Sequence, residues 1–130
     1  MITRRLFASL VATGVFALTA MPAWSAATRF TADALAQAKK AGGPILVEVS
    51  APWCSTCRAQ KAVFSELEKQ DRFKRFVKLE VDFDSQKDAL KALGATMQST
   101  LIVFKGDKEV GRVVGETKRE AIEALLAKAL

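Results

Sequence analysis

The sequence predicts an α/β domain in which helices flank a central mixed β-sheet, in the order β-α-β-α-β-α-β-β-α. Three observations predict it. An apolar run over 45–50 and an alternating run over 76–82 are separated by a helical pattern, so they form a β-α-β crossover with parallel strands. Strand-like runs over 100–104 and 109–114 are joined by Lys105-Gly106-Asp107-Lys108, which makes them an antiparallel hairpin. Ile122, Leu125, Leu126 and Ala129 then recur at helical spacing and close the order with a helix.

Residues 1–25 precede that domain. Met1-Ile2-Thr3-Arg4-Arg5-Leu6-Phe7 carries two arginines, an alanine-rich apolar stretch runs to Ala20, and small residues follow in Met21-Pro22-Ala23-Trp24-Ser25-Ala26-Ala27. A charged start, a short apolar middle and a small-residue end make a secretory signal peptide. A transmembrane anchor is the competing reading. The run is short for a span and has no charge cluster on its far side, so cleavage is favoured and leaves no stable membrane anchor. Both 23–25 and 25–27 fit a small-x-small cleavage site. Thr3-Arg4-Arg5-Leu6-Phe7 also resembles the twin-arginine pattern Ser/Thr-Arg-Arg-x-Phe, with a Sec signal and two incidental arginines as the alternative. Either route implies a bacterial protein delivered to the periplasm, where disulfide chemistry persists.

In the domain itself, Arg29-Phe30 begins a first strand and Thr31 is the N-cap of a helix over 32–41, ended by Gly42-Gly43-Pro44. The strand over 45–50 is apolar on both faces except for Glu48, as suits a strand covered on both sides. The next helix carries Val63, Phe64 and Leu67 inward and ends around Gln70. Residues 76–82 alternate Val77, Leu79, Val81 against Lys78, Glu80, Asp82. Ser85 with Asp88 three residues later opens a helix as a capping box, carrying Ala89, Leu90 and Leu93 before Gly94 ends it. Thr117 and Glu120 cap the last helix in the same way.

The two cysteines of the chain stand in Ala51-Pro52-Trp53-Cys54-Ser55-Thr56-Cys57-Arg58, between the apolar strand and the helical pattern. Residues i and i+3 of one helical turn face the same side, so the two sulfurs can meet and close a small ring. A helix starting near Cys54 sets that sulfur beside unpaired backbone N–H groups and the positive end of the helix dipole. Both favour thiolate; moving a thiol from about 8.5 to about 7 takes roughly 2 kcal/mol. Cys54 is then the attacking sulfur. Cys57, one turn in and more buried, is the resolving thiol that breaks the mixed disulfide. Two other readings stay open. Half of a zinc site would need carboxylates or a second chain, since the sequence has no histidine and no third cysteine. A purely structural disulfide would close too short a loop to stabilise much.

Ile45-Leu46-Val47-Glu48-Val49-Ser50-Ala51-Pro52-Trp53-Cys54-Ser55-Thr56-Cys57 resembles the active-site strand and motif of the thioredoxin family. The similarity spans nearly all of the chain after about residue 28. A β-α-β half joined to a β-β-α half is what the thioredoxin fold requires, so motif and element order agree. The resemblance implies one thioredoxin-like domain over 28–130. Glu48, six residues before Cys54, matches a family aspartate that lies buried behind the cysteines and accepts the resolving thiol's proton. The resemblance implies that role for Glu48 toward Cys57, directly or through a water, with its pKa raised by burial. An edge-exposed glutamate with no role is the plain alternative. Lys78 matches a family lysine beside that acid, with a solvated strand lysine as its alternative. The resemblance also implies that Trp53 packs beside the active site, with ordinary surface packing as its alternative. Pro52 is read as fixing the chain entering the turn, with a plain loop proline as its alternative.

The sequence departs from the family at one place. Thioredoxin-fold proteins carry a cis-proline opposite the cysteines, and Met97-Gln98-Ser99-Thr100 has Ser99 there. A cis bond before a non-proline residue costs about 3 kcal/mol, so the Gln98–Ser99 bond is expected to be trans, with a strained cis bond as the alternative. The trans form changes the substrate-facing loop and offers an N–H and a hydroxyl that proline lacks. The family proline also helps keep metals off the cysteines, so a bridged dimer holding a metal or iron–sulfur cluster through Cys54 and Cys57 is a further reading.

Half of the 130 residues are apolar and about a quarter charged, an ordinary balance for one globular domain. Removal of residues 1–25 takes Arg4 and Arg5 away, lowers the formal charge from +6 to +4 and leaves 105 residues. So mild a balance, with no Lys/Arg stripe between aromatics, sets nucleic-acid binding aside. The function expected is an exported thiol–disulfide oxidoreductase that reduces or exchanges disulfides of periplasmic proteins. Its partners are disulfide-containing protein substrates and a membrane or periplasmic redox partner, with no organic cofactor or metal implied. A thioredoxin-fold binding or assembly module with little turnover is the alternative. Ser99 argues for it, and the intact Trp53-Cys54-Ser55-Thr56-Cys57 argues against it.

Overall fold

In the computed structural model, which describes residues 27–130, the chain enters the sheet at once. The expected signal peptide, residues 1–25, lies outside the described residues. Strand β1 is Thr28–Arg29, and Phe30 follows it into the core with its N–H donating to Glu80 O at 2.7 Å. Thr31 caps α1 (Ala32–Ala41) as expected, its Oγ1 accepting from Ala34 N at 3.0 Å. β2 (Pro44–Ser50) is buried along its whole length. α2 (Ser55–Leu67) stops before Gln70, and a 3-10 turn, Asp71–Phe73, tucks Phe73 under it. β3 (Val77–Asp82), α3 (Lys87–Leu93), β4 (Thr100–Lys105), β5 (Lys108–Val114) and α4 (Arg119–Ala127) complete the predicted order.

Two helix starts differ from the sequence pattern. Ser85 and Asp88 form no capping box; α3 begins at Lys87, after Gln86, without a side-chain cap. The Asp82 carboxylate organises this turn instead, accepting from Asp84 N and Ser85 N at 2.9 Å each. Thr117 likewise leaves α4 uncapped, and that helix begins at Arg119. Glu116 Oε1 accepts from Thr117 N and Lys118 N at 3.0 and 2.8 Å. In both places an ionised acceptor just ahead of the helix takes the backbone donors, because a charge-assisted bond is the stronger one.

The sheet runs β1-β3-β2-β4-β5, with β1, β3 and β2 parallel and β4 and β5 antiparallel. β2 is its centre, which accounts for a strand buried on both faces. Ile45, Val47 and Val49 face α1 and α3 with Leu79, Ile102, Leu35 and Leu90. Leu46 faces α2 and α4 with Leu101, Phe64, Leu67 and Ile122. Each large apolar side chain fully buried here stabilises the fold by about 1.5–3 kcal/mol. β5 and α4 approach so closely that a Cβ on Gly111 would stand 2.7 Å from Leu125 Cδ1. Strand alternation puts Glu48 and Ser50 on the same side as Leu46, toward α2. That fixes the site at the end of β2, under the start of α2.

Candidate active site

Past Ser50 the chain makes a tight turn, with Cys54 N donating to Ala51 O at 3.1 Å and Pro52 and Trp53 at the two corners. Proline's fixed φ suits the first corner. Arg58 Nη1 donates to Pro52 O at 3.2 Å and ties the turn to the helix it feeds. Cys54 is the N-cap of α2, and its Sγ accepts from Cys57 N at 3.1 Å, where a capping hydroxyl would accept. The sulfur therefore lies at the helix end whose backbone N–H groups favour negative charge. Cys54 and Cys57 are joined as a disulfide, their Cα atoms 5.3 Å apart. The sequence expects Cys57 to be the more buried, but the two differ little, at 2 % exposed against 4 % for Cys54.

Glu48 is 3 % exposed, not an edge residue. It directly precedes Val49, whose carbonyl oxygen lies 3.8 Å from Cys57 Sγ, close enough to accept from the reduced thiol. Burial pushes the Glu48 carboxyl up to about 7, against the lowering pull of the Lys78 and Lys61 charges. Glu80, its partner across the β2–β3 register, pushes the same way through its charge and a shared side-chain hydrogen bond. Lys78 is half-buried on the same face, with Nζ 5.2 Å from the centre of the Phe64 ring.

Ser99 is buried, and no cis peptide bond occurs among the described residues, so the Gln98–Ser99 bond is trans. Its φ of +58° is left-handed, unusual for a residue with a side chain. The N–H and hydroxyl that Ser99 offers in place of proline are already used. Ser99 N donates to Val49 O at 2.8 Å and Oγ to Gln98 O at 2.6 Å. Ser99 O accepts from Gly115 N and from Gln60 Nε2, both at 3.0 Å. Trp53 is 57 % exposed. Its Nε1 donates to Asp84 Oδ2 at 2.9 Å, and its ring meets Phe83 edge-on at 6.2 Å.

A family model described as "Thioredoxin" matches residues 26–128. The chain is a member of the thioredoxin family. It is 33 % identical over 88 residues to "Thioredoxin Asp f 29" of Aspergillus fumigatus, which covers 68 % of this chain and 79 % of that protein. It is 32 % identical over 94 residues to a thioredoxin of Alicyclobacillus acidocaldarius subsp. acidocaldarius, covering 72 % of this chain and 89 % of the relative. Among solved structures, Trxlp from Edwardsiella tarda EIB202 aligns with a TM-score of 0.71 and 36 % identity, over 75 % of this chain and 95 % of that one. Thioredoxins are thiol–disulfide oxidoreductases that act on disulfide-containing proteins, and this thioredoxin-family enzyme carries its redox-active pair at Cys54 and Cys57.

Three further residues contribute to this thioredoxin site without a motif that marks them. Gln60 is buried and reaches two carbonyls, Ser99 O and Glu116 O. Its signal is its place in the stripe Cys57, Gln60, Phe64, Leu67, where a polar side chain must find partners. Glu80 alternates with Lys78 and Asp82, so it shares the face already assigned to Lys78. Lys61 lies one turn beyond Cys57 and pairs with Glu80 at 2.9 Å.

Proposed function

We propose that this thioredoxin-family protein is an exported reductase of periplasmic protein disulfides, in which Cys54 attacks, Cys57 resolves and Glu48 holds the proton between them. The observation that carries the proposal is Cys54 at the α2 N-cap, its sulfur accepting a backbone N–H, with a buried acid on the strand behind. In the reduced protein the Cys54 thiolate attacks a client disulfide. A Cys54–client bond forms, the client S–S bond breaks, and the first client thiolate takes a proton from water. Cys57 gives its proton to the Glu48 carboxylate and attacks Cys54 Sγ, releasing the second client thiolate, which is protonated from solvent. Two electrons have passed to the client, and the protein is left with its own disulfide. A carboxyl pushed to about 7 suits proton exchange at neutral pH. Dithiol oxidation runs the same steps backwards.

The other residues support this chemistry. Pro52 and Trp53 shape the exposed turn a client meets, Lys78 restrains the rise of the Glu48 pKa, and Ser99 sets the loop beside Val49. Export rests on residues 1–25, with their paired arginines, apolar stretch and small-residue end. The test is reduction of insulin disulfides with dithiothreitol as electron source. Wild type should accelerate it, and Cys54→Ser should fall to the uncatalysed rate. Equal rates for the two would remove the reductase role and leave a binding module.

A further inference from the structure

One row of positions on the α2 side of the sheet runs Arg29, Glu80, Glu48, Leu101, from edge strand β1 through β3 and β2 to β4. Paired residues on neighbouring strands lie about 4.8 Å apart and point the same way. Glu48 and Glu80 are therefore adjacent carboxyl groups, and they share a hydrogen bond. Two carboxylates this close do not ionise together cheaply, so a proton on Glu48 is favoured and is shared with Glu80 through that hydrogen bond. Glu48 is sealed from water, whereas the Glu80 side chain is 34 % exposed and bonds Lys61 Nζ at 2.9 Å. Glu80 and Lys61 line a recess of about 260 Å³ that opens beside the active-site turn, with Pro52, Arg58 and Asp82 on its wall.

We propose that Glu80 is a positioning residue that acts through Glu48, the outer half of a two-carboxyl relay by which the buried acid exchanges its proton with solvent. The inference rests on Glu48 accepting the Cys57 proton, as set out above. A proton on Glu48 crosses the shared hydrogen bond to Glu80 and passes from there to water in the recess, which frees the carboxylate before Cys57 resolves and clears the Cys57 proton afterwards. No electrons move in this step. The pair carries one negative charge while it holds the proton and two once the proton has reached water, beside the positive charges of Lys61 and Lys78. The groups facing it are Lys61 and Arg58 from α2, Lys78 and Asp82 from β3, and Arg29 from β1; β4 contributes the apolar Leu101.

The relay is tested with Glu80→Gln and Lys61→Met in the full chain, beside Glu48→Gln. Gln keeps Glu80's shape and hydrogen bonding but cannot take up the proton. Dithionitrobenzoate releases one coloured thiolate on attack by Cys54 and a second on resolution by Cys57, so stopped-flow absorbance reads the two steps separately. Glu80→Gln should slow resolution roughly tenfold at neutral pH while sparing attack. Carbon NMR of the side-chain carboxyls should show the Glu48 midpoint falling in Glu80→Gln, which loses a negative neighbour, and rising in Lys61→Met, which loses a positive one. Unchanged resolution in Glu80→Gln, or midpoints moving the same way in both variants, overturns the relay. If Glu48→Gln slows resolution but Glu80→Gln does not, only the relay falls; if Glu48→Gln resolves at the wild-type rate, the proton role of Glu48 falls with it.

Discussion

Glu48 ties the stability of this fold to pH. A glutamate in an unfolded chain ionises near 4.5, while in the folded protein burial, opposed by Lys78 and Lys61, pushes Glu48 up to about 7. Between those values the folded state holds a proton that the unfolded state has released. Its contribution is therefore full below about 4.5, is lost as pH rises to about 7, and is flat beyond. At about 1.4 kcal/mol per pH unit, the loss across that window is about 3 kcal/mol. Asp71, Asp82, Glu109 and Glu123 are lowered instead and act in the opposite sense at more acid pH. Comparing wild type with Glu48→Gln cancels them. In urea titrations of the oxidised proteins, the variant should gain on wild type by about 3 kcal/mol between about pH 4.5 and about pH 8. A gap that stays constant over that range would contradict a buried, titrating Glu48.

Ser99 binds elements together where the family places a cis-proline. Its N–H holds the end of β2 at Val49 O, and its carbonyl receives both Gly115 N beyond β5 and Gln60 Nε2 from α2. Restoring the family residue here should therefore do harm. Proline requires φ near −65° where Ser99 has +58°, and it has no N–H for Val49 O, so Ser99→Pro should destabilise by about 3 kcal/mol or more. Ser99→Gly accepts the left-handed backbone and should stabilise by up to about 1 kcal/mol. Denaturation midpoints of the two variants should move in opposite directions, and a stabilising Ser99→Pro would show that the loop takes another conformation. The missing proline was legible in the sequence, because a motif fixes its position. What replaced it was not, because Gln60 acts on carbonyls 39 and 56 residues away and a backbone carbonyl has no residue-type signature. Thr31's cap was readable because its donor is three residues on, whereas at Ser85 a carboxylate from the preceding strand took the Ser85 N–H that Asp88 was expected to receive. Element order and core faces followed from local periodicity. The Glu48–Glu80 pairing depends on strand register, which exists only once the sheet has formed.

For the molecule as a whole, export and redox chemistry meet in tryptophan emission. The full chain has two tryptophans, Trp24 before the proposed cleavage points and Trp53 beside Cys54. On the proposed export, the mature protein should begin at residue 26 or 28 by mass spectrometry, which leaves Trp53 as its sole emitter. Trp53 is held against Phe83 and Asp84 next to the disulfide, and a disulfide quenches an adjacent excited indole by accepting an electron. Reduction with dithiothreitol should therefore raise the emission of the exported protein, and an emission indifferent to reduction would place Trp53 away from the sulfurs. Trp53→Phe separates the two parts of the expectation. In the exported chain it should abolish tryptophan emission, and in the uncleaved chain it should leave the Trp24 signal alone. Tryptophan emission surviving in periplasmic Trp53→Phe would mean that residues 1–25 stay attached, and the thioredoxin domain would then act from a membrane anchor.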